Sequence, residues 1–550
     1  MTTTPPLVQA DIVLRGGPVW CGRAEGVAEA LAIWQGRVLA TGTTAEIAAL
    51  IGPGTRVIEL EGRLATPGLN DSHLHLLPLG LNIDWVDARP AAAPTLDALL
   101  SALAARARAV KPGDWVLARG YDQTKLDVGR HPTRDEIDAA VPDNPVMLVR
   151  TCGHVSVCNT RALALGGITG NSPTPPGGFI EVKDGRLTGM LAENARAPVV
   201  AAIPEPSDAE LVDAIERGGE YLLSYGITSC MEAALGMRAG FRELAAYQRA
   251  KRDGRLPVRT YLALLGDPER SIVPECYKAG MIAGAGDDML TVGGVKIFLD
   301  GSAGGRTAWM SEPYEGESQN YGVRILPDEE LERLVMEAHA QGYQLICHAI
   351  GDAAIGQLIT AYEKALAADP DPDRRHRIEH CGFSTPEQHE RMVKAGIYPC
   401  PQQVFVHDFG DAYIEVLGER RALPAYPLRT WFDLGLKPST GSDAPVCDPD
   451  PFPNLHNMLT RETWRGTVMD EGQRVGIGEA LQAYTEYGAF SQKQEHIKGR
   501  LVPGMLADVA VFSRDLLGAS PAEILNDTRC DLTILGGRVV FDRHDATGEG

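Results

Sequence analysis

The apolar positions change period along the chain, and those changes divide it. Near the start, "ADIVLRGGPVW" alternates apolar and polar residues, and "LAIWQGRVLATG" reads as a hairpin turning on Gln35-Gly36. Near the end, "LADVAVF" (506–512) and "CDLTILGGRVVFD" repeat the alternation and the Gly-Gly break. Short strands at both ends must pair with one another or stay as exposed edges. Two separate hairpins would bury too little surface to persist alone. The pattern predicts one small β-sandwich built from residues 1–66 and 498–550.

Between these ends, short apolar strands alternate with amphipathic helices, the pattern of a parallel α/β fold. Eight strands are expected: "RLATPGLNDSHLH", "GITSCMEA", "RTYLALLG", "GGVKIFLDG", "YQLICHAIG", "HRIEHCGF", "GIYPCPQQV" and "LKPSTGSDAP". Helical stretches such as "DEELERLVMEAHAQG" and "PEQHERMVKAG" separate them and end on glycine. Eight such units predict a TIM (β/α)8 barrel over residues 67–497, with its chemistry at the C-terminal strand ends. The stretch from His75 to Gly226 is far longer than the roughly 30 residues of one βα unit. It contains "DWVLARGYDQ", "NPVMLVRTCGHVSVCN" and a hairpin on Asp184-Gly185, so it reads as an insertion after barrel strand 1. Its bounds are expected at about 110–205, with "GNSPTPPGG" as an exposed loop.

Charge and cysteine usage narrow the partners. A net charge of −21 argues against nucleic acid and anionic membranes, which need a basic footprint. The ten cysteines are scattered with no CxxC pair, so neither a zinc knuckle nor a disulfide framework is expected. Without a signal-peptide pattern or a run of about 18 apolar residues, a cytoplasmic protein with reduced thiols is the expectation.

The chemistry gathers at strand ends. His73 and His75 in "DSHLHL" stand two apart, which on a strand puts both imidazoles on one face, able to converge on a metal ion. His348 ends "QLICH", His380 ends "RHRIEH" and Asp443 ends "KPSTGSD". Singly, each suits a core histidine or a helix-capping aspartate; together, at the ends of barrel strands, they suit a metal site. Lys296 is the anomaly, a charge within the apolar run "VKIFLDG". A salt bridge to Asp300 or Asp443 is one explanation for it.

The segments "PGLNDSHLH", "VKIFLDGS", "CHAIGD", "RIEHCGF" and "TGSDAP" resemble the motif set of the amidohydrolase superfamily. "GYDQ", "PTRDEID", "RTCGH" and "LTGMLAENA" resemble the insertion of its amidohydrolase-3, YtcJ-like branch, which includes N-substituted formamide deformylases. "DGSAGGRTA" departs from the more usual "DGSLGSRTA". The resemblance implies a divalent metal, zinc by donor type. Two ions are implied if Lys296 is carbamylated and bridges them, one if it is unmodified. His73, His75 and Asp443 would hold the more buried ion, and His348 with His380 the other. It implies hydrolysis of a non-peptide C–N bond of a small molecule, an N-acyl or N-formyl amide, by a metal-bound hydroxide. Asp443 would act as general base and then acid, with His380 and His154 beside it in the catalytic set. A cyclic amide, carbamate or ester hydrolase is the alternative, and a non-catalytic binding relative the third. Tyr121, Asp122, Gln123, His154 and Arg306 are the expected substrate residues. His154 could instead cap a following helix, and Arg306 could tie down its own loop. Trp309 and Phe405 are expected either to wall the pocket or simply to pack, and a homodimer is implied by resemblance.

Overall fold

The computed structural model describes residues 8–151, 153–175 and 178–547. Cys152 and part of the "GNSPTPPGG" loop therefore lie outside the described residues. The chain forms two compact units: one takes the residues up to Leu77 and those from Val212 onward, the other spans Pro78–Leu211.

In the first unit, seven parallel strands form the barrel sheet. They are β1 (Leu69–Leu74), β2 (Ile227–Leu235), β3 (Arg259–Leu265), β4 (Leu290–Phe298), β5 (Gln344–Ala349), β6 (Arg377–His380) and β7 (Tyr398–Cys400). They pair in chain order, and nearly every strand residue is buried, as expected of a sheet covered on both faces. The register sets Leu265 beside Lys296, Phe298 beside His348, and Ala349 beside His380. Helices intervene as the periodicity predicts. Pro386–Ala395 opens on a Thr385–Gln388 capping box and closes on Gly396 in the left-handed region (φ 66°).

The eighth expected strand is a correction. Residues 436–445 run beside β1 but form no regular strand. Three backbone bonds hold them there: Ser72 N–H to Thr440 O (2.9 Å), Asp443 N–H to His73 O (2.7 Å) and His75 N–H to Ala444 O (2.7 Å). Pro438 has no N–H to give, and Lys437 (φ 46°) and Asp443 (φ 57°) leave the pleated conformation. The segment thus closes the ring with an irregular backbone.

The two chain ends share one eight-stranded sheet. Val509–Phe512 pairs antiparallel with Ala65–Pro67, and Ala65 pairs with Val19. Leu14, Leu31 and Ile33 from the N-terminal side share a core with Val509, Val511 and Ile534 from the C-terminal side. The Gln35-Gly36 turn has positive φ at both residues (49° and 76°), as its hairpin requires.

The second unit is a six-stranded sheet in the order Gly178–Lys183, Arg186–Glu193, Val155–Cys158, Val146–Arg150, Val116–Tyr121, Val86–Asp87. Its first two strands join through Asp184-Gly185, again with positive φ at both residues. The nine described cysteines are buried and free. Among the described residues, no helix is long and apolar enough to cross a membrane.

Candidate metal centre

β1 delivers His73 and His75 to the end of the barrel, and the irregular closing segment delivers Asp443. Ligand atoms of these three buried side chains all lie within 4.8 Å of one another. Asp443 Oδ1 stands 3.5 Å from His73 Nε2 and 3.3 Å from His75 Nε2. Burial pushes the Asp443 carboxyl up, but the two imidazoles hold it well below the usual carboxylate range. His348 and His380 join the same cluster. Ring centroids are 5.7 Å apart for His73–His75, 4.9 Å for His73–His380 and 4.5 Å for His348–His380. His380 (φ 67°), Cys381 (φ 52°) and Asp443 (φ 57°) all adopt left-handed backbone, a strain typical of functional sites.

His73 and His380 are held from behind. His73 Nδ1 donates to the Glu379 carboxylate, which Arg377 grips through Nε (2.8 Å) and Nη2 (2.9 Å). Burial raises the Glu379 carboxyl, yet Arg377 and His73 bring it to about 2. His380 Nδ1 donates to Gln402 Oε1 at 2.5 Å, and His348 Nε2 lies 3.1 Å from Asp300 Oδ1. Glu232 Oε1 lies 3.8 Å from His75 Nδ1, while its other oxygen accepts from Tyr247 and from the Leu77 N–H. Asp71, buried under the cluster, is pushed by desolvation to about 7 despite the Ser442 hydroxyl that donates to it at 2.6 Å.

Lys296 is fully buried, and its Nζ has no hydrogen-bond partner. Neither expected salt bridge forms. Asp300 is occupied by His348 and by the N–H groups of Trp309, Ile350 and Gly351, and Asp443 by the two histidines. Nζ instead lies 4.6 Å from the Phe298 ring centroid. Burial pushes the amine's pKa down, with Glu379 and Asp443 pulling the other way. His73 Nε2 and His75 Nδ1 are likewise buried without hydrogen bonds. Orphaned polar atoms of this kind cost about 1–3 kcal/mol each. Two imidazoles, a carboxylate and an amine so exposed to one another are a donor set suited to a divalent cation.

The expected substrate residues divide between the two units. Arg306 ties down its own loop: Nη1 donates to Glu315 O (2.9 Å) and to Glu317 Oε1 (2.8 Å). Phe405 stacks on His380 (5.7 Å, 11°), so it does flank the cluster. Trp309 packs under the Arg324 guanidinium, 5.0 Å away. Tyr121, Asp122, Gln123 and His154 belong to the second unit. There Tyr121 Oη meets His131 Nδ1 (2.9 Å), and Arg150 bonds Gln123 (2.6 Å) and Asp122 (3.3 Å). His154 pairs with Glu193 (2.8 Å) and precedes a strand, so it caps no helix.

The sequence itself matches the model of a protein family. The model of that family, described as "Amidohydrolase family", covers residues 56–541. The chain belongs to the amidohydrolase family. As an amidohydrolase it is a metal-dependent hydrolase acting on carbon–nitrogen bonds other than peptide bonds. It is 30% identical to YtcJ of Bacillus subtilis (strain 168) over 539 residues, 96% of this chain and 99% of that one. It is 27% identical to the N-substituted formamide deformylase of Arthrobacter pascens, over 94% of this chain and 95% of that one. Among solved structures, a metal-dependent hydrolase from Pyrococcus horikoshii OT3 superposes with TM-score 0.75 at 26% identity, over 93% of this chain and 99% of that one. The motif resemblance to the YtcJ-like branch therefore holds over nearly the whole amidohydrolase chain.

The sequence reading gave no role to the residues behind the ligands, although "RIEHCGF" contains Arg377 and Glu379. Arg377 and Glu379, two apart on a strand of four buried residues, carry the same signal as Lys296: charge where burial forbids it unpaired. Glu232 within "CMEA" carries it too. Gln402 carries no such signal, because a neutral amide in a loop stands out from nothing.

Proposed function

We propose that this amidohydrolase cleaves an N-acyl or N-formyl amide of a small molecule, with water as the second reactant. The observation carrying this reading is the convergence of His73, His75 and Asp443 in a cluster shared with His348, His380 and the unpartnered amine of Lys296. Similarity to a formamide deformylase favours the amide over an ester. In this reading His73, His75 and Asp443 hold one divalent ion, and zinc suits the donors. His348 and His380 would hold a second ion, and Lys296, carbamylated by CO2 with loss of a proton from its neutral amine, would supply oxygen donors in place of a cation. A buried amine whose proton is disfavoured is the form that reacts with CO2.

A divalent ion supplies Lewis acidity at such a site, polarising a carbonyl and acidifying a water molecule. The chain's own part is orientation and proton transfer. Asp443, kept ionised by the imidazoles at 3.3 and 3.5 Å, takes a proton from the attacking water and passes it to the leaving nitrogen. Glu379 and Gln402 fix the rings of His73 and His380 so that their Nε2 atoms face the centre. Phe405, flat against His380, offers an apolar wall.

The test is metal analysis of the purified protein, followed by a panel of N-formyl and N-acyl amides, carbamates, cyclic amides and esters. Cleavage of N-formyl or N-acyl amides is expected, lost on chelation and in Asp443→Asn, and restored to the wild type by added divalent ion. Turnover confined to cyclic amides or esters, or none across the panel by metal-loaded protein, overturns the proposal.

A further inference from the structure

Arg461 is a buried cation without an ion-pair partner among the described residues. It closes the helix Pro451–Thr460 in the left-handed region (φ 62°), and its side chain is wholly buried. Burial lowers the guanidinium to about 10 against the pull of Asp470, so it is still charged at neutral pH. A buried charge of this kind is retained only where its donors are satisfied. Here neutral oxygens satisfy them. Nε donates to Met469 O (2.8 Å), Nη1 to Gln403 Oε1 (3.0 Å) and Tyr426 O (3.1 Å), and Nη2 to Ala425 O (2.6 Å).

Most of those oxygens belong to the chain behind His380. Tyr426 is left-handed (φ 52°) and gives its N–H to Gly382 O (2.8 Å). Gly382 lies against the Tyr426 ring, where a Cβ would stand 3.0 Å from Oη, so the turn after His380 rests on this tyrosine. His380 and Cys381 in that turn are left-handed too (67° and 52°). Gln403 joins the same knot, its Nε2 donating to Tyr426 O (3.2 Å). Its neighbour Gln402 accepts from His380 Nδ1 (2.5 Å), and Phe405 just beyond stacks on the His380 ring. Left-handed residues other than glycine persist only where their surroundings fix them. Arg461 supplies that fixing, one planar fork gripping Ala425, Tyr426, Gln403 and Met469 at once.

We infer that Arg461 is a positioning residue: through Tyr426 and Gln403 it holds the turn that carries His380 and the segment whose Gln402 amide orients that ring. The inference rests on the reading of His380 as a metal ligand, but its readout needs no substrate. Full-length protein loaded with zinc is titrated with a competing chelator, and its unfolding is followed in parallel. Arg461→Lys keeps the charge, but one ammonium cannot span oxygens from several segments. It should loosen zinc about 10–100-fold at temperatures where the variant is fully folded. A merely structural role would lower the unfolding midpoint and leave retention by the folded protein unchanged, a result that overturns the inference. Combination with His380→Gln traces the route. Once the ring is gone, Arg461→Lys should cost no further zinc, and losses that simply add overturn the inference. If Arg461→Lys does not fold, Gln403→Met takes its place in the same cycle, since it breaks one arm of the grip and leaves the guanidinium the carbonyls of Ala425, Tyr426 and Met469. A smaller loosening that vanishes in the His380→Gln background is then expected, and unaltered retention overturns the inference. Coupled losses in a protein that cleaves no amide refute the proposed function alone.

Discussion

Replacing Lys296 by methionine should make the metal-free protein more stable, although it removes a residue assigned to the centre. The side chain is fully buried and its Nζ has no hydrogen-bond partner. An unsatisfied buried donor costs about 1–3 kcal/mol, and methionine fills nearly the same space without one. Part of that gain is offset, because the amine lies 4.6 Å from the Phe298 ring centroid, a contact worth roughly 0.5–2 kcal/mol when charged. A net gain of about 1 kcal/mol follows. The larger unit holds roughly 400 residues, and ~2 cal/mol/K per residue of unfolding entropy converts that gain to about 1 °C. The shift is small, but its sign is opposite to that of most core substitutions.

The pH dependence sharpens the test. Burial lowers the lysine's pKa in the folded state, while in the unfolded chain it titrates near ~10.4. Between the two values the unfolded state binds the extra proton, so wild-type stability climbs with pH and the methionine variant lacks that climb. The advantage of Lys296→Met should therefore be larger at pH 7 than at pH 10. The assay is calorimetric unfolding of both proteins after chelation in CO2-free buffer, compared at one scan rate because a chain this size need not unfold in two states. Metal analysis of the untreated proteins accompanies it, with bound metal expected to fall in the variant. A variant less stable than the wild type without metal would show that the amine has a stabilising partner, and undiminished metal content would remove Lys296 from the centre.

Three further outcomes follow from named contacts. Glu379→Gln leaves the Arg377 guanidinium buried without its counter-charge, which should cost about 3–5 kcal/mol and loosen metal about 10–100-fold; unchanged chelator competition refutes the role given to Glu379. Burial holds His376 well below its ordinary pKa while it accepts from Leu345 N–H (2.9 Å) and bonds His339 (2.9 Å). Its contribution to stability is complete above about pH 6.5 and lost as pH falls, so His376→Gln should flatten the unfolding midpoint between pH 7 and 5, and an unaltered slope contradicts this. Arg306→Ala should change KM less than about threefold while making residues 302–317 easier to proteolyse, since the lost ion pair is worth only about 0.2–1 kcal/mol. A tenfold rise in KM with unaltered proteolysis would return Arg306 to the substrate.

The barrel and the terminal sheet were legible because burial imposes a period on a strand, and period is local. The same reasoning failed at the eighth strand, where "LKPSTGSD", buried although mostly polar, cannot continue a ladder through Pro438 and two left-handed residues. That failure falls on the segment carrying Asp443. An in-register strand would present its side chains alternately to two faces, whereas the turn at Asp443 brings its carboxylate to both imidazoles of β1. Local rules broke where the chemistry needed a direction that they do not supply.

The ligands and the residues that hold them differ in legibility for a physical reason. Lys296, His348 and His380 could be found because each is out of place in its own strand. Whether a histidine offers Nδ1 or Nε2 is decided by what stands behind it, and that partner comes from elsewhere in the chain: Glu379 is 306 residues from His73, and Gln402 is 22 from His380. No short window of sequence contains both halves of either pair. The charged partners still leave a trace, since Arg377 and Glu379 have to appear together on a buried strand to neutralise one another. Gln402 leaves none, because a neutral amide needs no counter-charge and so imposes nothing on the residues around it. What a sequence hides at such a centre is therefore its neutral hydrogen bonds, and these set ring orientation in the same way as the charged ones.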